Sequence, residues 1–341
     1  MTAALSWRWL LASALVACAV APDACAATRA RWLMGTLWTA SADGDGSAAA
    51  LDAALDTVAA LERSLSNWSP ASELSRLNAA GGGIPSEPLC AVIDSARALA
   101  AATEGAFDPT VEPLSLAWDL RGAGRVPSEA QLVVARDRVG WERLSVDREH
   151  SRVELHGALL DLGGIAKGFA LDRAAAVLAA RGVAGASLDA GGQRLLPGGE
   201  PCSVWVAHPE QRDRAAVCLV LAAGSLSTSA QSERSLGHGR HRIGHILDPR
   251  SGRPAPTHAS VSVFARSGTR ADALSTALLV LGRERARAFA IAHRELGVLW
   301  LEPDGTRVTA EAWNLDVAAA APFVVLVPTN SASLARSPSL P

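Results

Sequence analysis

The sequence of 341 residues contains no tyrosine and only two methionines. Ten tryptophans, five phenylalanines and eight histidines supply all of its aromatic rings. Any aromatic side chain that stacks on a flat ligand must therefore be tryptophan, phenylalanine or histidine.

The chain also lacks an excess of positive charge. It has 32 lysines and arginines against 34 acidic residues, a formal net charge of −2. No basic stripe stands out, and such a stripe is the usual electrostatic footprint of a nucleic-acid-binding protein. This argues against a nucleic-acid partner. Charged residues at 19% and hydrophobic residues at 49% are typical of a globular protein large enough to bury a substantial core.

Cysteines are few, and their separations fit no zinc motif such as C-x-x-C. Cys90, Cys202 and Cys218 lie in the body of the chain. An oxidising compartment would permit a disulfide. Two alternatives follow: buried thiols throughout, or a Cys202–Cys218 bridge.

The N-terminus carries a targeting segment. Arg8 precedes an apolar run at residues 9–21, which is too short to span a membrane and is typical of a secretory signal. Ala24-Cys25-Ala26 fits cleavage of a signal peptide at residues 1–26. A lipobox-like LVAC sequence instead predicts a signal that ends at residue 17, with a lipid on Cys18. Both alternatives predict an exported protein, and no later segment has the length and apolarity of a membrane span.

Apolar periodicity predicts a mixture of helices and strands. Helices are expected at residues 48–65, 89–103, 165–181 and 284–294, and around Asp272. Strands are expected at 186–188, 203–206, 217–221 and 261–265, with a hairpin that joins 298–302 to 307–309. Short elements around turns are expected at 131–134, 144–146 and 152–155. Because strict βαβ alternation is missing, the fold class is α+β in one domain at residues 28–320. A tail at 322–341, rich in Ser, Pro and Ala, is expected to be disordered.

The segment LDLGGIAKG at residues 160–168 combines an acid, a glycine pair and a lysine at the start of a predicted helix. Glycines let the backbone approach a ligand closely. A helix N-terminus and a lysine both suit a phosphate group. The alternative is a simple tight turn between two elements.

A second candidate segment contains Asp272 and Thr276. Four residues apart in a helix, they share one face. A carboxylate and a hydroxyl form an oxygen pair that suits Mg²⁺, which binds few protein ligands together with phosphate and water. Alternatively, Asp272 caps the helix and Thr276 bonds back to a carbonyl.

These segments belong to a series of short motifs. In chain order the others are Met34-Gly35-Thr36, Leu65-Ser66-Asn67-Trp68, residues 72–78 (SELSRLN), residues 105–110 (GAFDPT), Thr228-Ser229, Arg234 and residues 245–252 (HILDPRSG). Their order and spacing resemble the ApbE family of FAD:protein FMN transferases. The resemblance runs from Met34 to about Gly305 and implies a single ApbE-like domain with T-fold-like subdomains.

The resemblance also implies a reaction. Family members cleave FAD, release AMP and attach FMN to a threonine of an acceptor protein through a phosphoester. Mg²⁺ is expected to bridge the phosphates. Four positions match metal-binding positions of the family: the side chains of Asp272 and Thr276, the carbonyl of Gly164, and a backbone contact at Ser275. Positions that match FAD contacts are Met34, Trp68, Ala106, Phe107, Asp108, Asp161, Lys167 and Ile246.

His245 is the candidate catalytic residue. By resemblance it lies near the phosphates, and an imidazole titrates near neutrality, so it could accept the proton of the acceptor threonine. The alternative is a structural histidine bonded to the turn that follows. Asp161 is another candidate for proton transfer, or else a contact to adenine or ribose. His238 and His241 lie nearby, but without an acid or a cysteine the segment does not predict a zinc site.

Two segments depart from the family pattern. Ala230-Gln231-Ser232 stands where the family usually shows Gly-Asp-Tyr, and residues 189–193 (DAGGQ) differ at their ends. These departures bear on the choice of acceptor more than on FAD binding. Two other functions remain open: an FAD pyrophosphatase that uses water, and a non-catalytic periplasmic FAD-binding protein. The implied acceptor is a membrane respiratory subunit with a threonine in an Asp-Gly-x-Thr-like motif. The implied location is the periplasm, with a possible lipid anchor in the inner membrane.

Overall fold

The computed structural model describes residues 27–44, 46–233, 235–236, 243–305, 307–315 and 332–336. Its helices are α1 Ser47–Leu65, α2 Glu73–Ala80, α3 Glu87–Ala102, α4 Glu112–Ala117, α5 Glu129–Arg136, α6 Ala166–Ala180, α7 Gly268–Leu281 and α8 Arg283–Ala292. The first nine strands are β1 Ala27–Leu33, β2 Thr36–Ala42, β3 Gly82–Gly83, β4 Ser145–Asp147, β5 Arg152–Glu154, β6 Ala186–Ala190, β7 Gln193–Gly198, β8 Cys202–Ala207 and β9 Ala215–Leu221. The others are β10 Gly224–Ala230, β11 Ser235–Leu236, β12 Ile243–Gly244, β13 Leu247–Asp248, β14 Arg253–Pro254, β15 Ser260–Ala265, β16 Gly297–Asp304, β17 Arg307–Trp313 and β18 Ala332–Arg336.

One large sheet organises the molecule. Nine strands pair in the order β1-β2-β6-β7-β10-β15-β16-β17-β18, and every pairing except β17 with β18 is antiparallel. Helices α1, α6 and α7 pack on this sheet and on one another. The β8–β9 hairpin packs a second apolar cluster against β15 and β16 through Val204, Leu219, Phe264 and Leu299. The mixed, single-domain α+β fold is confirmed.

The helices follow the apolar pattern of the sequence. In α1, the core-facing residues Leu51, Leu55 and Val58 recur at helical spacing and are fully buried. The helices predicted at 48–65, 89–103, 165–181 and 284–294 correspond to α1, α3, α6 and α8 within a few residues. The predicted hairpin is also present, as β16 and β17 on either side of Gly305, whose φ of +60° suits glycine.

The short element predicted at 131–134 lies within the helix α5, whose first residue follows Ser128 in a complete capping box. The Cys202–Cys218 bridge is wrong, because no disulfide joins the cysteines of the described residues. Cys202 pairs with Leu221 and Cys218 with Trp205 across the β8–β9 hairpin, so the two thiols lie on opposite faces of the ribbon.

The tail is ordered in part. Residues 332–336 form β18, whose backbone pairs with the open edge of β17, and an unpaired edge is a ready template for another strand. For these five residues the structure differs from the predicted disorder. The rest of that tail, the signal segment at 1–26, Arg234, His238 and His241 lie outside the described residues. Within the described part, no helix is both long and apolar enough to cross a membrane.

Candidate functional site

Helices α6 and α7 cross with their backbones in contact. A Cβ atom added to Gly168 would come within 2.0 Å of the carbonyl oxygen of Gly268. At this crossing the amide of Gly168 donates a hydrogen bond of 3.0 Å to Oδ2 of Asp272. Because Gly168 and Gly268 lack side chains, the start of α6 can lie directly against the first turn of α7.

A carboxylate on α6 holds the N-terminus of α7. Asp172 accepts hydrogen bonds from the Oγ of Ser267 at 2.7 Å and from the amides of Gly268 at 2.6 Å and Thr269 at 2.9 Å. The Oγ1 of Thr269 donates a further bond at 2.6 Å. A carboxylate here satisfies amides that the helix leaves unpaired and interacts favourably with the helix dipole. Asp172 thus sets the position of Asp272, one helical turn farther along α7, and sequence reasoning missed it.

The predicted metal-site residues come together at this crossing. Asp272 is only 4% exposed, and its Oδ1 lies 3.6 Å from the Nζ of Lys167. Gly164 faces the same turn of α7, because a Cβ added there would lie 3.3 Å from the Oγ1 of Thr276. Residues more than 100 positions apart in the sequence thus form one small polar site.

A chain of hydroxyl groups orients Thr276. The Oγ of Ser275 lies 2.9 Å from the carbonyl oxygen of Asp272, 2.8 Å from the Oγ of Ser229 and 3.3 Å from the Oγ of Ser227. The Oγ1 of Thr276 lies 3.4 Å from the Oγ of Ser229 and 3.5 Å from the carbonyl oxygen of Asp272. A hydroxyl has two lone pairs and one proton, so Thr276 keeps at least one lone pair for a cation.

The donor set fits a hard divalent cation. The carboxylate of Asp272 and the hydroxyl of Thr276 are oxygen ligands, and Gly164, whose carbonyl is the third ligand that the resemblance implies, lies beside Thr276. Within the described residues, no group of three or more His, Cys, Asp and Glu side chains could hold a metal ion. Ser275 is fully buried, and its Oγ is bonded within the hydroxyl chain; the backbone contact that the resemblance implies for it stays a prediction.

A second wall of the site contains two carboxylates that share one guanidinium. Asp161 accepts from the amide of Gly163 at 2.8 Å and from the Oγ of Ser115 at 3.2 Å. Arg121 forms a two-point ion pair with Glu112 and lies 3.9 Å from Asp161. Burial and the nearby Asp161 raise the pKa of Glu112, whereas the bonds from Arg121 lower it.

Comparison with known proteins places this geometry in a family. The model of the ApbE family matches residues 34–300. The FAD:protein FMN transferase of Salmonella typhimurium is 30% identical over 316 residues, which cover 85% of this chain and 90% of that protein. The chain belongs to the ApbE family.

Solved structures of ApbE proteins share the fold. The ApbE protein of Thermotoga maritima superposes with a TM-score of 0.75 at 29% identity, covering 80% of this chain and 93% of that one. The flavinyl transferase ApbE of Pseudomonas stutzeri, in its apo form, also gives 0.75, at 27% identity and with coverage of 87% and 98%.

The FAD-contacting positions implied by the ApbE resemblance differ in exposure. Met34, at the turn between β1 and β2, has a φ of +50° and donates its amide to Glu62 at 2.7 Å. Phe107 is buried, and its ring lies 3.3 Å from the Cβ position of Gly164. Ala106 and Asp108 are buried as well.

The carboxylate of Asp108 accepts hydrogen bonds from other residues of the protein. It accepts from the amide and hydroxyl of Thr110, at 2.8 and 2.6 Å, and from the amide of Trp141 at 3.0 Å. Burial raises its pKa. The structure therefore gives this side chain a role in shaping the wall of the site, and does not bring it to the surface that a ligand would touch.

Trp68 is 61% exposed, although tryptophan is normally well buried. The preceding residue, Asn67, donates to Glu112 at 3.4 Å, and an exposed indole can serve as a platform for a flat ring. This exposure excludes the alternative to a flavin contact, in which Trp68 is a residue of the hydrophobic core.

We expect Trp68→Ala to weaken FAD binding by about 1–3 kcal/mol, by analogy with the stacking of bases on aromatic side chains. The exposed ring has few protein contacts to lose, so the midpoint of thermal unfolding should stay the same. Titration with FAD, followed by quenching of tryptophan fluorescence, measures the affinity. Trp205→Ala, which removes another exposed indole on β8, is the matched control. Equal affinity in the Trp68 variant and the wild type would contradict a flavin contact.

A glutamine that sequence reasoning did not assign to the site positions His245 and Ile246. The Nε2 of Gln231 donates to the carbonyls of Ile246 at 2.8 Å and Ala255 at 3.1 Å, and its Oε1 accepts from the amide of Ile246 at 3.0 Å. Gln231 follows β10 by one residue and Ser229 by two. The half-buried His245 is therefore tied to the same end of β10 as the hydroxyl chain. The signal in the sequence was the departure from the ApbE pattern at residues 230–232.

Proposed function

We propose that the protein transfers FMN from FAD to a threonine of an acceptor protein, in a reaction that needs Mg²⁺ and releases AMP. The observation that carries the proposal is the convergence of Gly164, Lys167, Asp272 and Thr276 at the crossing of α6 and α7. The names of the ApbE relatives support FAD as the substrate and a protein as the acceptor.

Each group has a definite task in such a reaction. Lys167 and the first amides of α6 bind the negatively charged pyrophosphate. The acceptor hydroxyl attacks the phosphorus of the FMN half, the bond from that phosphorus to the oxygen of AMP breaks, and the threonine loses its proton. Trp68 supports the flavin ring, and Asp161 accepts hydrogen bonds from the nucleotide.

Asp272, Thr276 and the carbonyl of Gly164 would hold Mg²⁺. When bound, the ion neutralises charge on the phosphate oxygens and orients them for displacement. The ammonium group of Lys167 lies 3.6 Å from Oδ1 of Asp272 and partly balances its charge.

The direct test is incubation of the purified protein with FAD, Mg²⁺ and a peptide that contains Asp-Gly-Ala-Thr. Mass spectrometry should find the peptide heavier by the mass of FMN less one water. AMP should be released in equal amount. FMN and AMP free in solution would indicate a pyrophosphatase instead. Intact FAD bound to the protein would indicate a binding protein without catalysis.

If His245 accepts the threonine proton, we expect His245→Asn to lower the transfer rate by roughly 10²–10⁴-fold, the usual range for loss of a general base. FAD affinity should change little, and the acidic limb of the pH–rate profile should disappear. Gln231→Glu separately tests the hydrogen bonds that hold the backbone of Ile246, the residue next to His245. A parallel loss of FAD affinity and rate in His245→Asn would make this histidine a binding or structural residue.

We further propose that the mature protein is exported and acts in the periplasm on a membrane respiratory subunit. It would begin either at Ala27 without lipid or at a lipidated Cys18 in the inner membrane. The intact mass of the native protein, together with cell fractionation, separates the two forms. A cytoplasmic protein that retains Met1 would exclude both.

A further inference from the structure

Helix α4 presents different chemistry on its two faces. Glu112 and Ser115, three residues apart, face the site and bond to Arg121 and Asp161. Leu116 and Ala117 face the other way and line a groove between α4 and α5. The groove is therefore separated from the candidate active site by a single helix.

The groove is apolar and open. Its volume is about 440 Å³, and Leu116 and Val134 are 49% and 68% exposed along it. Both helices rest on a small core of Leu114, Trp118 and Leu132, so the apolar walls are held in place from below. Leu116 and Val134 therefore give the groove an aliphatic lining that is open to solvent.

Two arginines stand at the edge of the groove. Arg125 donates to the carbonyls of Ala117 at 2.9 Å and Leu116 at 3.3 Å, and Arg138 donates to the carbonyl of Gly157 at 3.0 Å. Neither guanidinium forms an ion pair with a carboxylate of the described residues. These backbone bonds hold two positive charges beside the apolar floor without neutralising them.

Resting on the proposed transferase function, we propose that this groove binds the segment of the acceptor protein that flanks the target threonine. The chemistry of the groove selects apolar side chains with carboxylates beside them, because the floor is aliphatic and the rim carries two uncompensated positive charges. A transferase that modifies a protein must recognise polypeptide outside the pocket that binds FAD. This groove lies next to that pocket.

The geometry sets the spacing of the recognised residues. A helix with its side chains is about 10 Å across, and an extended chain covers about 3.3 Å per residue. An apolar side chain in the groove should therefore lie roughly three to five residues from a threonine in the active site.

Two synthetic peptides serve as probes. Both contain Asp-Gly-Ala-Thr. In one peptide Leu-Leu-Asp stands directly before this motif, so that the second leucine lies five residues before the threonine. The other peptide has Ser-Ser-Asn in the same place. We measure kcat/KM for gain of FMN by mass spectrometry, and binding of the fluorescein-labelled peptides to the FAD-loaded protein by anisotropy. The wild type should prefer the leucine peptide by about tenfold or more in both measurements.

The helix α5 offers a closely matched pair of variants. Val134 lines the groove and Val133 does not, although the two are adjacent and have similar exposed fractions, 68% and 62%. Val134→Asp should remove the preference for the leucine peptide, and Val133→Asp should keep it. FAD affinity and thermal unfolding should be unchanged in both. Arg125→Glu together with Arg138→Glu should weaken the leucine peptide at low salt more than at high salt.

The possible results separate this inference from the proposed function. If the wild type modifies both peptides equally and Val134→Asp changes nothing, the groove is not the acceptor site, although the transferase function stands. The same conclusion follows if Trp32→Asp, on the exposed face of β1, removes the preference and Val134→Asp does not. If no peptide gains FMN but Val134→Asp still abolishes the preferential binding, the groove binds polypeptide and the transferase function is wrong.

Discussion

Replacement of Asp272 by asparagine should abolish transfer of FMN, with a loss of roughly 10³-fold or more, while the fold stays intact. Asp272 is the only charged residue among the proposed metal ligands, and a metal that stabilises phosphate charge is worth several kcal/mol in a transition state. Asparagine keeps an oxygen that can accept the 3.0 Å bond from the amide of Gly168, so the crossing of α6 and α7 should survive. Turnover of FAD at several Mg²⁺ concentrations measures the activity. Titration with Mn²⁺, followed by electron paramagnetic resonance, measures binding of the metal itself.

The control for this variant is Asp56→Asn. Asp56 is an exposed carboxylate on α1 that pairs with Arg31. It carries the same charge and lies outside the site, so Mn²⁺ binding and turnover should both equal those of the wild type. If Asp272→Asn binds Mn²⁺ as well as the wild type does, or keeps its activity at limiting Mg²⁺, the metal site must be sought elsewhere.

Local patterns in the sequence predicted the helices well and the sheet only in part. The helix α1 is defined by its own periodic leucines and alanines, so its ends could be predicted without knowledge of the rest of the fold. Strands β7 and β10 have mixed burial without strict alternation, and β10 contains three serines. Their place in the sheet depends on neighbours such as β15, which is buried along its whole length, and such pairings cannot be read from one segment.

For the site, the sequence identified most of the residues but not how they are held. The Asp272 and Thr276 pair followed from helical spacing, and the ApbE resemblance added Gly164 and Lys167. Asp172, which caps α7 from α6, has no local signal because its three partner residues lie 95 to 97 positions away. These supporting residues act through tertiary contacts.

The position of His245 likewise could not be predicted from the sequence around it. His245 was singled out from the chemistry of imidazole and from the resemblance, yet its position depends on Gln231. That glutamine forms three hydrogen bonds to the backbone of residues 246 and 255. A departure from a family pattern can therefore mark a residue that has taken over a structural task, and only the hydrogen bonds identify that task.

Gly168→Ala should destabilise the protein and disable the proposed metal site together. The added methyl group would lie 2.0 Å from the carbonyl oxygen of Gly268 and 2.8 Å from the Cβ of Asp272. The nearest contact is backbone, so no change of rotamer can relieve it, and α7 must move away from α6. Overpacking of this kind costs about 1–3 kcal/mol or more, although alanine is intrinsically the better helix former by about 1 kcal/mol. We therefore expect the unfolding temperature to fall by roughly 5 °C, as measured by calorimetry.

The same displacement carries Asp272 and Thr276 away from Gly164, so Mn²⁺ affinity should fall by about tenfold or more even at temperatures where the variant is fully folded. Gly185→Ala is the matched control, since a Cβ added to Gly185 meets nothing within 4 Å and its backbone has no positive φ. That variant should keep both stability and metal affinity. If Gly168→Ala is destabilised but binds Mn²⁺ as tightly as the wild type, the crossing of the two helices supports the fold without positioning the metal ligands. Since propensity and sterics act in opposite directions at Gly168, a loss in both measurements can come only from the close contact of the two backbones.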